Sequence, residues 1–242
     1  MEEAAELGNY LPLSFKTDSE QEYIAFLWDA FETNYTHANY QFAFLAYHML
    51  TMSFVYFNIW QIKLTEPKDF EKAMVGFRRD TENALVSATS PFVFSIVNER
   101  TVLRFLKLIA CDNSKIGTYA KLVDERNNSA HPNGNIFFRE QSALDQKIAE
   151  VLRVVEEIQN HSKPIIQSAY QRFLLNNHDS EDREYPDDPD QIREVLIHEN
   201  YFSRRDIDFC LEFDLAALNA EPAFPQILSL HRSLQANHGE EG

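Results

Sequence analysis

An arginine and a histidine five positions apart, Arg126 and His131, stand in the stretch RNNSAHPNGN (126–135). That pairing suits phosphodiester chemistry. A guanidinium holds phosphate and stabilises charge growing on its non-bridging oxygens. An imidazole near neutral pH can take a proton from a ribose 2′-hydroxyl or give one to the departing 5′-oxygen. No metal is needed for that reaction, and no CxxC or HExxH spacing offers one. No GxGxxG or GxxxxGK[ST] loop is present either, so neither a metal nor a cofactor is expected.

The spacing recurs at Arg172–His178, Arg193–His198 and Arg232–His238, with one further intervening residue in the first and last pairs. Context separates Arg126–His131 from these. Asn127 follows the arginine, a small residue precedes the histidine, and Pro132 disfavours α geometry at His131. The helix should therefore stop near Ala130, leaving His131 just beyond it, with Asn133 and Gly134 making the turn. On an unbroken helix the two side chains would sit about 140° apart. Ending the helix frees His131 to face a cleft with Arg126, and a helix C-terminus favours a cationic imidazole. The stripe Ile116, Tyr119, Ala120, Val123 and Ala130 reads as one helix face, and Asn127 falls on it.

The string R-N-x-x-A-H-P-x-G resembles the signature of the HEPN superfamily, all-α domains of which many are metal-independent endoribonucleases in toxin, antiviral and RNA-processing systems. The resemblance covers about ten residues, and implies an all-α, HEPN-like helical bundle. It implies that two Arg–His pairs face each other across a homodimer twofold, and that cleavage leaves a 2′,3′-cyclic phosphate and a 5′-hydroxyl. In that scheme Arg126 binds phosphate, His131 acts as general acid or base, and Asn127 orients the pair or a substrate hydroxyl. Asn133 stands where some members carry a tyrosine two residues after the histidine, so regulation through such a tyrosine is not supported. The partners expected are RNA and a second copy, with room for a regulatory protein. A second reading is a catalytically inactive HEPN-like module binding RNA or a protein partner.

The rest of the chain must position these residues. It has 242 residues, 19 Phe and 10 Tyr, but only 6 Gly, which suits an aromatic helical core rather than a β-barrel. The net charge of −16 excludes nucleic-acid binding through overall charge, because phosphate contacts need Lys and Arg. Locally the balance differs: residues 91–140 carry seven Lys and Arg against five Asp and Glu. Glu99, Arg100 and Arg104 on the preceding helix could line a cleft, although an ordinary solvated face is the preferred reading of them. Cys111 and Cys210 read as reduced thiols, and with no basic-then-apolar leader the expected location is the cytoplasm.

No formally charged residue occurs from Thr33 to Ile62. That run is long enough to span a bilayer, but polar interruptions and flanks without Lys/Arg clusters favour a buried core helix, with His48 a hydrogen-bonded core histidine and no membrane expected. Helices are expected from a Ser19/Glu22 capping box, over about Thr36–Lys63, Pro67–Ala88, Val97–Cys111, from Ser114, and over Gln141–Asn176, where Pro164 should kink or split the helix. Residues 1–177 form the HEPN-like domain, 178–190 an acidic linker with seven acidic residues, and 191–242 a small helical C-terminal extension that docks on the first part. Its helices are expected over Gln191–His198, Arg204–Phe213 and Pro225–Leu234.

Overall fold

The computed structural model describes residues 1–239; residues 240–242, the last of the C-terminal extension, lie outside the described residues. Among the described residues the chain is all-α, with no strand and one isolated bridge between Pro12 and Ser203. After the short α1 (Glu2–Ala5), the first long helices are α2 (Asp18–Thr36) and α3 (Tyr40–Thr65), joined by a tight turn in which Ala38 takes a positive φ of 58°. Then come α4 (Pro67–Ala73), α5 (Arg79–Ser87) and α6 (Glu99–Val102), followed by α7 (Asn113–Ala130) and α8 (Gln141–Asn176). The C-terminal part holds α9 (Asp188–Gln191), α10 (Arg204–Leu211) and α11 (Phe224–His238).

The helix α3 is the axis of the fold. It packs against α2, α7 and α8, and 83% of its most apolar 18-residue window is buried inside the protein. Each fully buried Phe or Leu on it, Phe44, Phe54 and Leu50 among them, contributes about 1.5–3 kcal/mol. Several of its polar residues are satisfied locally or across the core: Thr51 donates to the Tyr47 carbonyl at 2.9 Å, and Asn58 accepts from Ser162 of α8. The apolar run is thus the centre of the fold.

Several element boundaries differ from expectation. The cap of α2 is Thr17, whose Oγ1 accepts from the Glu20 N–H at 3.2 Å, rather than Ser19. Two overlapping Ser/Thr-x-x-Glu strings begin at Thr17 and Ser19, and the earlier one places Glu20 where Ser90 and Tyr201 reach its carboxylate. The start of α3 is Tyr40, four residues after the expected Thr36, because α2 runs through Thr36 and the turn follows. The expected helix over 67–88 is two helices, broken where Gly76 adopts φ 96°, a conformation that ends helices. Phe77, just past that break, packs edge-on to Phe105. The expected helix over 97–111 is one turn of α-helix continued as a 3₁₀ segment, Leu103–Ile109, which packs Phe105 against Phe70 at 5.2 Å and Phe94 at 6.1 Å. Capping moves the start of α7 to Asn113, since Asp112 accepts from the Lys115 N–H at 2.9 Å. The bounds of α8 are those expected, and Pro164 lies inside one continuous helix rather than splitting it.

The C-terminal helices build a second core that is shared across residue 177. Ile166, Tyr170, Phe173 and Leu174 of α8 pack with Ile192, Leu196, Phe202, Ile207 and Leu230. Its segments are Asp188–Gln191 continued as a π-helical Ile192–His198, then Arg204–Leu211 and Phe224–His238. At the junction with the first core Tyr201 packs on Phe57, ring centroids 5.3 Å apart, beside a buried polar cluster. The Asp206 carboxylate, 2% exposed, accepts from Gln61 (3.0 Å), Gln159 (2.6 Å), and the Ser203 amide and hydroxyl (2.8 and 2.9 Å). Within residues 178–190 the one arginine, Arg183, is buried and bonds Asp188 at 2.6 Å and the Asn177 carbonyl at 3.3 Å.

Candidate functional site

The helix that carries the motif is pinned at both ends. Tyr119, Val123 and Ser129 form its buried face; Ala130 is exposed, so the stripe ends one residue earlier than its spacing suggests. The Ser129 carbonyl accepts from Gln41 Nε2 at 2.9 Å, and the same amide's oxygen accepts from the Phe137 N–H at 2.8 Å. Gln41 thereby ties the end of α7 and the loop after it to α3.

His131 lies just past the helix, with extended backbone (φ −86°, ψ 145°), as Pro132 requires. Its N–H still bonds the Asn127 carbonyl at 3.1 Å. Asn133 closes the turn, donating to the Asn128 carbonyl at 2.8 Å and accepting from the Asn135 N–H at 3.0 Å, while Gly134 takes φ 78°. The imidazole itself is exposed to solvent.

Arg126 and Asn127 face the other way, into a cavity of about 1010 Å³. Tyr23, Tyr56, Phe92, Glu99 and Arg100 share its walls, drawn from α2, α3, the 3₁₀ segment Pro91–Ile96, and α6. His131 is not among the lining residues. The cleft expected to hold Arg126 and His131 together is therefore not formed within one chain: the backbone turns extended only after the histidine's own N–H has made the last helical bond.

Glu99 organises the cavity. One carboxylate oxygen forms an ion pair with Nη2 of Arg126, and the other meets His48 Nε2 at 3.1 Å. His48 is 2% exposed, and Glu99 is its side-chain partner, so the core histidine expected from the sequence is hydrogen-bonded. Burial pushes the Glu99 carboxyl pKa up, but hydrogen bonds from His48 and Arg126 outweigh it and hold the group below the usual carboxylate range. The Tyr56 hydroxyl is pushed up to about 12, by burial first and by the nearby Glu99 charge second. The solvated-face reading of Glu99 is corrected, since its side chain is 19% exposed and turned inward. Arg100 lines the same cavity and pairs with Asp124 on α7, whereas Arg104 is exposed and outside it.

At the far wall, Glu20 accepts from Ser90 Oγ (2.5 Å), from the Tyr201 hydroxyl (3.0 Å) and from the Lys16 N–H (3.2 Å). The His48–Glu99–Arg126 chain has no local sequence signature, because it joins residues from distant elements. The one available signal was a lone histidine on an apolar helix, which needs a polar partner somewhere.

Two of the other Arg–His spacings are occupied by structural contacts. Arg172 donates to the Thr65 carbonyl at 3.1 Å and His178 bonds the Leu175 carbonyl at 2.9 Å. Arg193 pairs with Asp190 and Glu194, and His198 meets Ser14. The His238 carbonyl accepts from Arg204 at 2.5 Å. Among the described residues no three His, Cys, Asp or Glu side chains are grouped as a metal site requires, and both cysteines are free and buried. In comparisons with known proteins, no family model, no curated sequence and no solved structure matches this chain.

Proposed function

We propose that this chain is a metal-independent endoribonuclease of the HEPN kind, working in the cytoplasm as a homodimer in toxin or antiviral defence. Arg126 carries the reading. It lines the large cavity and is held along one edge by Glu99, itself anchored by the buried His48. A guanidinium has five N–H donors. With Nη2 paired to a carboxylate, Arg126 keeps further donors, for which an RNA phosphate would compete. Asn127 is the neutral donor and acceptor beside it.

In the reaction the 2′-oxygen attacks phosphorus, the bond to the 5′-oxygen breaks, and the proton lost by one oxygen is matched by the proton gained by the other. His131 of a second copy serves as acid or base, since the imidazole is exposed and lies outside its own chain's cavity. RNA incubated in EDTA should be cut by wild type, and Arg126→Ala and His131→Ala should each lower the rate by at least about 100-fold. Activity that survives His131→Ala contradicts the mechanism.

A second reading, a HEPN-like module that binds RNA or a protein without cutting, is favoured by one observation: Arg126 is already ion-paired. Wild type that leaves all RNAs intact, including tRNA, while both variants stay folded, selects that reading.

A further inference from the structure

We propose that the cavity beside Arg126 is a small-molecule site, taking an acid with a flat apolar body and a single carboxylate. The site stands without the nuclease reading. A phosphate on Arg126 would leave most of about 1010 Å³ unfilled, and that volume matches the upper end of the ~300–1,000 Å³ of small-molecule sites.

The wall supplies the apolar half. Tyr23, Met49, Met52, Tyr56, Phe92 and Val123 line the space. Phe92 meets Tyr23 and Tyr56 edge-on, at interplanar angles of 86° and 83°, so the three rings form angled walls rather than a stack. The wall runs from surface to core. Tyr23 and Met49 are 39% and 40% exposed, while Met52 and Tyr56 are 6% and 8% exposed. A molecule entering past Tyr23 leaves water as it goes in.

The polar groups choose the head. Both carboxylates in the wall are already engaged: Glu20 accepts from Ser90, Tyr201 and the Lys16 N–H, and Glu99 from His48 and Arg126. Donors remain. Arg126 keeps N–H groups beyond the one paired to Glu99. The Tyr56 hydroxyl stands near the charges of Glu99 and Arg126, yet among the described residues no hydrogen bond ties it. A phenol that deeply buried ordinarily has a partner. A carboxylate suits this pair, because the guanidinium and the phenol both donate to it.

Charge limits the head to one carboxylate. Glu20 and Glu99 balance Arg100 and Arg126 in the wall, and both arginines are paired, Arg126 with Glu99 and Arg100 with Asp124. One added negative charge can share Arg126; a second is repelled by the two carboxylates. A cation finds those carboxylates already hydrogen-bonded. A free nucleotide is disfavoured at both ends. Its phosphate carries the second charge, and its base needs hydrogen-bond partners along the ring edge. Met52 and Val123 offer none, and Ser53 gives its proton to the Met49 carbonyl.

Isothermal titration calorimetry on the full chain tests this with three naphthalenes of similar shape: 1-naphthoate, the neutral 1-naphthamide and the cationic 1-naphthylmethylammonium. Wild type should bind one naphthoate per chain, at least about tenfold tighter than either relative. Arg126→Gln should erase that preference and leave naphthamide binding within about twofold. Tyr56→Phe, which removes only the hydroxyl, should weaken naphthoate about fivefold. Tyr23→Ala, at the mouth, should weaken naphthoate and naphthamide alike, by about tenfold. Helical circular dichroism should be unchanged in all three variants. A preference for the ammonium, no binding of any of the three, or binding indifferent to Arg126→Gln and Tyr23→Ala overturns the proposal. Tighter binding of adenosine 5′-monophosphate than of naphthoate assigns the space to a nucleotide and overturns it too. RNA cleavage is scored separately. Naphthoate bound by a chain that cuts no RNA defeats the nuclease reading and leaves this site standing. Cleavage by a chain that binds no naphthoate defeats the site and leaves the nuclease.

Discussion

Glu99 is shared between Arg126 and His48, and that sharing sets how the site responds to substitution and to pH. Glu99→Gln keeps the shape but removes the charge, leaving Arg126 without its counterion and His48 with a weaker partner. The expected cost is about 1–3 kcal/mol at neutral pH. Because the folded pKa of Glu99 is depressed below its ordinary 4.5, the stability it contributes is present above that value and is lost as pH falls through the lower folded pKa. Urea unfolding should therefore show the gap between wild type and Glu99→Gln shrinking as pH is lowered below 4.5 and through the depressed folded pKa. A gap that is constant with pH would mean that the pair is too solvated to matter. The end of the motif helix was legible, since Pro132 dictates where α geometry stops. The direction of Arg126 was not, because it is set by a carboxylate on another element, 27 positions earlier in the chain.

At the scale of elements, local rules did well where one cap decides, as where Ser203 and Asp206 box the start of α10, and failed at the Gly76 break and where two signals competed. Thr17 and Ser19 both open a capping string, and only the tertiary partners of Glu20 choose between them. The break at Gly76 and the long α8 show the contrast: a positive φ ends a helix, while Pro164 only removes one donor from a helix whose apolar face is held on both sides of it. The polar contact that joins α3, α8 and α10 leaves no mark on the apolar spacing. It is the Asp206 carboxylate with donors from Gln61, Gln159 and Ser203. Asp206→Ala leaves those buried donors unpaired and should cost about 3 kcal/mol or more. Burial raises the Asp206 pKa above its ordinary 3.8 despite those hydrogen bonds, the opposite of Glu99. Its titration thus favours the folded chain at low pH, and that contribution is lost as pH rises through the folded value. The stability gap between wild type and Asp206→Ala should widen as pH falls through the raised pKa, measured by urea midpoints; a gap that narrows contradicts this account of the join.

For the whole molecule, composition pointed to an all-α fold because glycine is scarce and the apolar spacing is helical. It did not reveal that the second core straddles residue 177, since a helix as long as α8 can serve two cores in succession. Nor did it reveal that Arg126 and His131 of one chain face different surroundings, one in a cavity and one in solvent. In the proposed reaction that separation makes a second copy part of the chemistry. Arg126→Ala chains and His131→Ala chains, each inactive alone, should recover RNA cleavage when unfolded together and refolded as mixed dimers. With an arginine from one copy and a histidine from the other, half of the dimers carry one intact site, and about a quarter of wild-type activity returns. A mixture as inactive as its components would contradict a site built across two chains.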